Sequence, residues 1–392
     1  MPWLLQANII ATIKRIKKMP LIFSGVTTKG SFDLVYTPPP LPPNLWSWGR
    51  GSDGRLGLGN TTYYSSPKQI GALGSWLNVA AGYNHGTAIK TDGTIWSWGY
   101  NDTGQLGLGN TTSYSSPVQI GSLTNWSKNE GSFFYNIAIK TDGTLWGWGY
   151  NTGGRLGLGD TTSNSSPVQI GALTTWYKIN AGGQHTMAIK TDGTLWGWGI
   201  NGYGSLGLGD TTNRSSPVQI GSLTTWLNIA GLYRASMAVK TDGTLWSWGH
   251  NAFGQLGLNN TTNYSSPKQV GGLTNWLSVA GGKYAHSVAL KTDGTLWGWG
   301  RNYIGMLGLG TTTQYSSPVQ VGALTNWESI DAGKSHSVAI KTDGTLWGWG
   351  SNQYGRLGLG DTTNRSSPTQ IGSSTNWSKV DAVGQFTLAI SY

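Results

Sequence analysis

One four-residue pattern, Trp-X-Trp-Gly, recurs along almost the whole chain at a nearly constant interval. Its seven copies begin at Trp46, Trp96, Trp146, Trp196, Trp246, Trp297 and Trp347. The interval is 50 residues, and a single extra residue lies between Gly281 and His286. Repetition at such a period indicates one small supersecondary unit per repeat, which buries its apolar surface against its neighbours. We therefore expect an array of seven equivalent units.

Within each unit, the sequence is typical of short β-strands joined by tight turns. The segment Thr-Leu-Trp-Gly-Trp-Gly alternates with a period of two, which predicts a strand. Asp-Gly pairs such as Asp92-Gly93 tolerate the positive φ of a hairpin turn. The Lys and Asp of this Lys-Thr-Asp-Gly turn are expected to be solvated. Residues 46–392 contain no sustained helical period, so the prediction is an all-β protein with about four short strands per unit.

Four short strands in each of seven units predict a seven-bladed β-propeller. The chain ends at residues 388–392, where another Trp-X-Trp strand is due, and an unpartnered copy of that strand lies at residues 44–49. We expect this N-terminal strand to close the ring and so to remove two exposed sheet edges. The predicted domains are an N-terminal arm with a Pro-rich linker at 1–44 and the propeller at 45–392. Residues 4–18 of the arm fit a basic amphipathic helix that could contact a membrane surface or a groove of a partner.

The motif Trp-Gly-X-Asn-X-X-Gly-Gln-Leu-Gly, at 98–107 and 248–257, resembles the regulator of chromosome condensation repeat family. The resemblance covers residues 46–392 and implies the propeller fold. That family includes exchange factors for small GTPases, chromatin-binding proteins, an inhibitor of β-lactamases, and many bacterial and phage proteins with nearly identical repeats. The exchange factors carry a wedge inserted in one blade. No unit of this chain departs from 50 residues by more than one, which leaves no room for such a wedge.

The tryptophans recur at fixed strand positions, which indicates core packing rather than ligand cages. Removing ~150–250 Å² of indole surface from water contributes ~4–6 kcal/mol per ring before entropy costs. The predicted structural core consists of the two tryptophans of every motif: Trp46, Trp48, Trp96, Trp98, Trp146, Trp148, Trp196, Trp198, Trp246, Trp248, Trp297, Trp299, Trp347 and Trp349.

Four histidines occupy one slot of the repeat, at His85, His185, His286 and His336. Other units have Tyr, Ala or Phe there, and no acidic residue recurs beside the slot, so packing histidines are the prediction and zinc is the weaker alternative. The chain has no Cys, and we find no nucleophile–base or paired-carboxylate arrangement. We therefore expect no catalytic residue, no metal and no cofactor, and a protein that is not an enzyme.

Positions that differ between the seven copies are free for recognition, because constant positions hold the fold. The tip of the loop after Trp-Gly carries an aromatic residue in four consecutive units, and a second variable slot is aromatic in two units. An exposed aromatic arc is typical of an interface, although the rings could instead only cover adjacent loops. The predicted partner-binding residues are Tyr203, Phe253, Tyr303, Ile304, Tyr354, Phe133, Phe134, Tyr233 and Arg234.

These features favour a non-catalytic interaction or attachment module with a protein partner from a host or a virion. Nearly identical repeats resemble bacterial and phage surface proteins, so the expected location is extracellular or on a virion surface, with the cytoplasm as an alternative. The alternative functions are a GTPase regulator, a glycan-binding lectin and an enzyme inhibitor. The net charge is +10, but residues 1–44 hold five basic residues against one Asp. The remaining charge is spread without a basic run, so nucleic acid is not expected as a partner.

Overall fold

The computed structural model describes residues 42–72 and 74–392, which form seven antiparallel sheets of four strands each. The amphipathic helix expected at 4–18 and most of the Pro-rich linker lie outside the described residues. The strands are, in chain order, β1 Asn44–Gly49, β2 Tyr64–Gln69, β3 Trp76–Ala81, β4 His85–Lys90, β5 Ile95–Gly99, β6 Tyr114–Gln119, β7 Trp126–Gly131, β8 Tyr135–Lys140, β9 Leu145–Gly149, β10 Asn164–Gln169, β11 Trp176–Ala181, β12 His185–Lys190, β13 Leu195–Gly199, β14 Arg214–Gln219, β15 Trp226–Gly231, β16 Ala235–Lys240, β17 Leu245–Gly249, β18 Tyr264–Gln269, β19 Trp276–Gly281, β20 His286–Lys291, β21 Leu296–Gly300, β22 Tyr315–Gln320, β23 Trp327–Ala332, β24 His336–Lys341, β25 Leu346–Gly350, β26 Arg365–Gln370, β27 Trp377–Asp381 and β28 Phe386–Ser391.

Each sheet is one blade of a propeller. Blade 1 has the order β2-β1-β28-β27, and blades 2 to 7 each consist of four consecutive strands, beginning with β3–β6 and ending with β23–β26. The first strands of the blades contact one another in a closed circle: β3, β7, β11, β15, β19, β23 and β27. These seven inner strands line a central channel. The structure therefore confirms the predicted all-β seven-bladed β-propeller.

The ring is closed by the N-terminal strand, as predicted. Strand β1 pairs with β28 along its whole length, from Asn44 opposite Ser391 to Gly49 opposite Phe386. On its other side β1 pairs with β2. Two segments separated by almost the entire chain thus share one sheet, and neither presents the free edge that promotes aggregation.

The interfaces between blades are built from tryptophan. The second Trp of each motif is fully buried, as for Trp98, whose indole Nε1 donates a hydrogen bond to the Arg55 carbonyl of the preceding blade over 3.0 Å. In the next blade, Trp126 of the inner strand packs edge-on against Trp148, the second Trp of that blade's motif, with 6.0 Å between the ring centroids. The first Trp of the motif, such as Trp146, is only half-buried. The prediction that both tryptophans belong to the core is therefore confirmed in full for the second Trp of each motif, whereas the first Trp is only partly buried.

The lysine of the Lys-Thr-Asp-Gly-Thr turns is less exposed to solvent than expected. Lys140 is only 5 % exposed, and its ammonium lies 3.6 Å from the ring centroid of Trp146. The expectation of a solvated lysine is wrong there because the indole face attracts the cation. Asp142 does remain exposed, and its Oδ1 accepts hydrogen bonds from the backbone N–H and the hydroxyl of Thr144.

Antiparallel strands place the connections of each blade at two opposite ends. We call one end the loop face: it carries the link between the first and second strands (82–84 in blade 2) and the long loop between the third and fourth strands (100–113). The other end is the turn face, with the hairpin turn (91–94) and the link to the next blade (120–125). Three loops of the loop face contain a short 3₁₀ turn, at Ser52–Gly54, Thr152–Gly154 and Gln353–Gly355. No helix in the described part of the chain has the length and apolarity to cross a membrane.

Candidate functional site

Repeated residues hold the long loops of the loop face and leave their tips variable. In blade 2, Asn101 Oδ1 accepts the Leu106 N–H over 2.8 Å, and its Nδ2 donates to the carbonyls of Asn110 and Thr112. Gly107 has φ 71°, and a Cβ there would lie 2.8 Å from the indole nitrogen of Trp148. The scaffold of the loop is thus fixed by a few side chains, and the tip residues are presented on it.

The predicted aromatic tip residues form an arc on the loop face, over blades 4 to 7. Tyr203 and Tyr303 are exposed, whereas Phe253, Ile304 and Tyr354 are half-buried. Cations fill the spaces between the rings: the Arg301 guanidinium lies 4.6 Å from the ring centroid of Phe253 and 4.5 Å from that of Tyr303. The arc is therefore a continuous aromatic and basic surface rather than a set of separate rings.

The second predicted set lies on the same face, nearer the axis. The rings of Phe133 and Tyr233 are 5.2 Å apart, and Phe134 packs edge-on against Phe133 at 6.3 Å. Arg234 joins the two sets, because its guanidinium lies 4.9 Å from the rings of both Tyr203 and Tyr233. The structure thus brings all nine predicted residues to one face. Their role in binding stays a prediction.

A groove of about 910 Å³ opens on this face beside the arc. Four tyrosines supply its aromatic surface (Tyr63, Tyr284, Tyr303 and Tyr354), and Lys334 and Arg356 supply its charge. Its other lining residues are polar or apolar but uncharged: Ser65, Ile304, Ser335, Ser351, Gln353, Thr362, Asn364 and Gln385. Among the residues that the structure describes, the groove therefore combines two cations with tyrosine rings and has no carboxylate in its lining.

Several residues of this face are not among the predicted binding residues. Arg301 and its blade 1 counterpart Arg50 directly follow Trp-Gly, where other units have Tyr, Ile, His or Ser. Tyr83, Tyr284 and Lys334 occupy the same variable slot as Phe133 and Tyr233; the Lys334 ammonium donates to the Tyr83 hydroxyl and lies 4.6 Å from the Tyr284 ring. All of these positions vary between the seven repeats, and that variation is the sequence signal that could have identified them as surface residues of this face.

The electrostatics of the loop face are set by cations without acidic partners. In the described part of the chain, the ion pairs are Arg55–Asp53, Arg214–Asp210 and Arg365–Asp361. Arg50, Arg234, Arg301, Lys334 and Arg356 belong to none of them. Unneutralised guanidinium and ammonium groups on one face create a positive potential that attracts acidic surfaces.

The central channel contains an ionic cluster that sequence analysis did not predict. Glu130, Asp331 and Asp381 project from three inner strands around a cavity of about 90 Å³. Lys283, beside the one extra residue of the chain, enters the same cavity and donates to the carbonyls of Ala181 and Gly231 over 3.1 and 2.8 Å.

The channel carboxylates serve as structural links between blades. Asp331 accepts the Ala382 N–H at 2.5 Å, and Asp381 accepts the Ala81 N–H at 2.8 Å. Burial, followed by repulsion from Asp331, raises the pKa of Glu130, and burial also raises the pKa of Asp331. Burial lowers the pKa of Lys283. The sequence alone does not place these carboxylates together, because residues from distant repeats meet only when the ring closes.

The histidine slot is a packing position, as predicted. The four histidines are fully buried, and each Nε2 faces a polar side chain of the next blade, as with His185 and the Ser236 hydroxyl at 2.7 Å. Burial, followed by the charge of Lys283, lowers the pKa of His185 to about 3, so the ring is neutral. Among residues 42–72 and 74–392, no group of three His, Asp or Glu side chains is placed to hold a metal ion.

Comparison with protein families gives a match over most of the propeller. The model described as "Regulator of chromosome condensation (RCC1) repeat" matches residues 44–89, 92–129, 142–189, 192–239, 242–290, 293–340 and 343–390. Among curated proteins, the chain is 47% identical over 53 residues to "Protein RCC2 homolog" of Danio rerio. That match covers 13% of this chain and 11% of the zebrafish protein.

Two solved structures have the same fold at low sequence identity. Human WBSCR16 has a TM-score of 0.81 and 19% identity, over 89% of this chain and 98% of that chain. Prp20p from Saccharomyces cerevisiae has a TM-score of 0.79 and 23% identity, over 90% of this chain and 92% of that chain. These two likenesses concern the fold alone.

Proposed function

Because this chain belongs to the regulator of chromosome condensation repeat family, we propose that it is a non-catalytic interaction module that binds a protein partner through its loop face. The single observation that carries the proposal is the arc of Tyr203, Phe253, Tyr303 and Tyr354 with Arg301 between its rings. Aromatic and arginine side chains dominate the binding energy of protein interfaces.

The near identity of the repeats supports a role for the protein outside the cell or on a virion, where the loop face would serve as an attachment or decoration surface. A scaffold copied seven times with little change leaves the variable loop tips as its recognition surface. The uncompensated cations Arg50, Arg234 and Lys334 favour a partner with an acidic surface. A host protein and a virion component both fit this description, and a glycan is the alternative ligand for the tyrosine rings.

A second candidate function is regulation of a small GTPase. The observation in its favour is the fold shared with yeast Prp20p, a protein that binds Gsp1p and histones. The observation against it is the constant repeat length, which provides no inserted wedge. Release of a fluorescent guanine nucleotide from a small GTPase of the source organism tests this candidate: acceleration by the propeller supports it, and an unchanged rate rejects it.

Affinity capture with matched surface variants tests the proposed interaction face. One variant replaces Tyr203, Phe253, Tyr303 and Tyr354 by Ser. The control replaces Leu123, Leu223, Leu273 and Leu324, exposed leucines of the turn face, by Ser. Proteins and virions of the source organism are the input, and the affinity of the captured partner is then measured with purified components.

We expect the loop-face variant to weaken partner binding by at least ~10-fold, and the turn-face control to bind like the wild type. Both variants should keep the circular dichroism spectrum of the wild type, because Tyr203, Tyr303 and the leucines are exposed and Phe253 and Tyr354 are only half-buried. Equal binding by wild type and loop-face variant, or loss of binding only in the turn-face variant, would refute the proposed face.

A further inference from the structure

Three blades repeat the same arginine on the same short turn. Arg55, Arg155 and Arg356 each follow a 3₁₀ turn and donate Nε to the carbonyl of the residue three positions earlier, over 2.8, 3.0 and 2.9 Å. The residue two positions before each arginine has a left-handed backbone, with φ of 61° at Asp53, 75° at Gly153 and 70° at Tyr354. The three arginines therefore share one local backbone conformation and one hydrogen bond, and the side chains around them differ.

In blade 1, the arginine has an acidic partner from its own turn. Arg55 is 1 % exposed, and its Nη2 donates to Asp53 Oδ2 over 2.5 Å. The Asp53 side chain is itself 39 % exposed. The carboxylate position beside this buried arginine is thus open to solvent.

In blade 7, the same position holds Tyr354 and no carboxylate. Arg356 is 1 % exposed, and its Nη2 is itself buried and has no hydrogen-bond partner among the described groups. The Tyr354 ring packs edge-on against Tyr63, with centroids 5.4 Å apart. A buried guanidinium nitrogen without a partner costs stability, so a site that keeps one is expected to have it satisfied by something else.

Arg356 lines the groove of about 910 Å³, whereas Arg55 and Arg155 do not. Lys334 is the second cation of the groove, and Arg50 flanks it over the Tyr354 ring at 5.2 Å. The charge of the groove is therefore complementary to a ligand with more than one carboxylate.

We propose that this groove binds an extended acidic peptide segment of a protein partner, which shifts the half-buried Tyr354 ring so that one carboxylate reaches Arg356 as Asp53 reaches Arg55. The inference rests on the proposed function, since the segment belongs to the partner that the loop face binds. A second carboxylate of the segment pairs with Lys334, and its apolar side chains lie on Tyr303 and Tyr354.

The lining of the groove favours a peptide over an isolated anion. Hydroxyl and amide groups of Ser65, Gln353, Asn364 and Gln385 line it, and they can donate to and accept from peptide main-chain groups. A single small anion would use Arg356 and leave the tyrosine surface empty. A carboxylate is favoured over other anionic groups because the blade 1 site already shows it in this geometry.

Fluorescence anisotropy with two labelled decapeptides tests the inference. The probe alternates Glu and Ala, and its control alternates Gln and Ala. The proteins are the full chain in wild-type form, Arg356→Gln, and the matched Arg55→Gln, whose arginine already has a partner. A second pair, Tyr354→Asp and Tyr354→Asn, removes the same ring, but only the Asp substitution supplies an internal carboxylate to Arg356.

The Glu peptide should bind the wild type at least ~10-fold more tightly than the Gln peptide, and Arg356→Gln should lose a similar factor. Arg55→Gln should stay within ~3-fold of the wild type. Tyr354→Asp, which keeps a satisfied arginine and so should fold, should bind at least ~10-fold more weakly than Tyr354→Asn.

Equal binding of the two peptides, equal losses at Arg356 and Arg55, or equal affinity of the two Tyr354 variants would each overturn the inference. These outcomes are separable from failure of the proposed function. If the captured partner still depends on the aromatic arc while binding equally well to Arg356→Gln and wild type, the loop face stands and the acidic groove does not.

Discussion

Replacement of Tyr354 by Asp is expected to stabilise the propeller, although it removes a large side chain. Tyr354 has φ 70°, a left-handed conformation that costs roughly 1–2 kcal/mol for most residues and less for Asp or Asn. The new carboxylate would also give Arg356 Nη2 the partner that it lacks. A hydrogen bond to a charged group contributes about 1.5–3 kcal/mol.

The losses on this substitution are smaller than the gains. The edge-on pair with Tyr63 at 5.4 Å is worth about 0.5–1.5 kcal/mol. The contact with Arg50 at 5.2 Å is worth about 0.5–1 kcal/mol at an exposed site. At mid-range values the hydrogen bond exceeds the two lost contacts by ~0.5 kcal/mol, and partial relief of the left-handed backbone brings the net gain of Tyr354→Asp to about 1–2 kcal/mol.

Calorimetry on the wild type, Tyr354→Asp and Tyr354→Asn separates the contribution of the new carboxylate charge from that of the lost ring. Unfolding entropy of ~2.1 cal/mol/K per residue, over about 350 residues, converts 1 kcal/mol to roughly 1.5 °C in melting temperature. Tyr354→Asp should therefore melt about 2–4 °C above Tyr354→Asn, which shares its backbone relief. If the two variants melt together, or if the difference persists in an Arg356→Met background, the assignment of Arg356 as an unsatisfied cation is wrong.

Three further predictions concern the channel, the closure and the core. Burial raises the pKa of Glu130 from 4.5 to about 8, so between these pH values the folded state holds a proton that the unfolded state releases. The melting temperature should therefore fall as pH rises from about 4.5 to 8. Glu130→Gln should flatten this slope, and an unchanged slope would show that another group causes the pH dependence. Deletion of residues 44–49 removes β1 from blade 1 and should yield unfolded or oligomeric protein by light scattering; a monomer with unchanged melting would disprove closure by this strand. Trp248→Ala should cost about 3–5 kcal/mol of unfolding free energy. Trp246→Ala should cost clearly less, because Trp246 is half-buried and Trp248 is fully buried. Equal costs in denaturant titrations would argue against the interblade role of the second Trp.

The fold was predictable because the signal was repeated seven times. Each Trp-X-Trp strand predicts the same local structure, and the unpartnered strand at 44–49 identifies the closure. The arrangement of predicted binding residues on one face followed from the same logic, since equivalent loops of a ring emerge at the same end.

The ionic channel was not predictable, because each of its members occurs in only one or two copies. Glu130, Asp331 and Asp381 share one inner-strand position that is Ala in three other units, and their proximity exists only after ring closure. The extra residue near Lys283 was visible in the sequence, but its consequence, an ammonium group in the channel, depends on the path of one loop. The lysines of the hairpin turns were misjudged for a similar reason: the indole that covers Lys140 belongs to the next strand.

The missing hydrogen-bond partner of Arg356 was predictable only in part. The sequence displays Asp53 and Tyr354 at equivalent positions, two residues before an arginine in both units. Only the structure shows that the arginine is buried in both and that the groove opens at one of them.

Hydrogen–deuterium exchange of the propeller with and without its captured partner reports on the loop face and the turn face in one experiment. Binding at the loop face should slow exchange in the long loops around 200–205, 250–255, 301–306 and 351–356. Exchange should stay unchanged in the hairpin turns, such as 91–94, and in the blade links, such as 120–125. Protection confined to those turns and links, with the long loops unaffected, would contradict binding at the loop face.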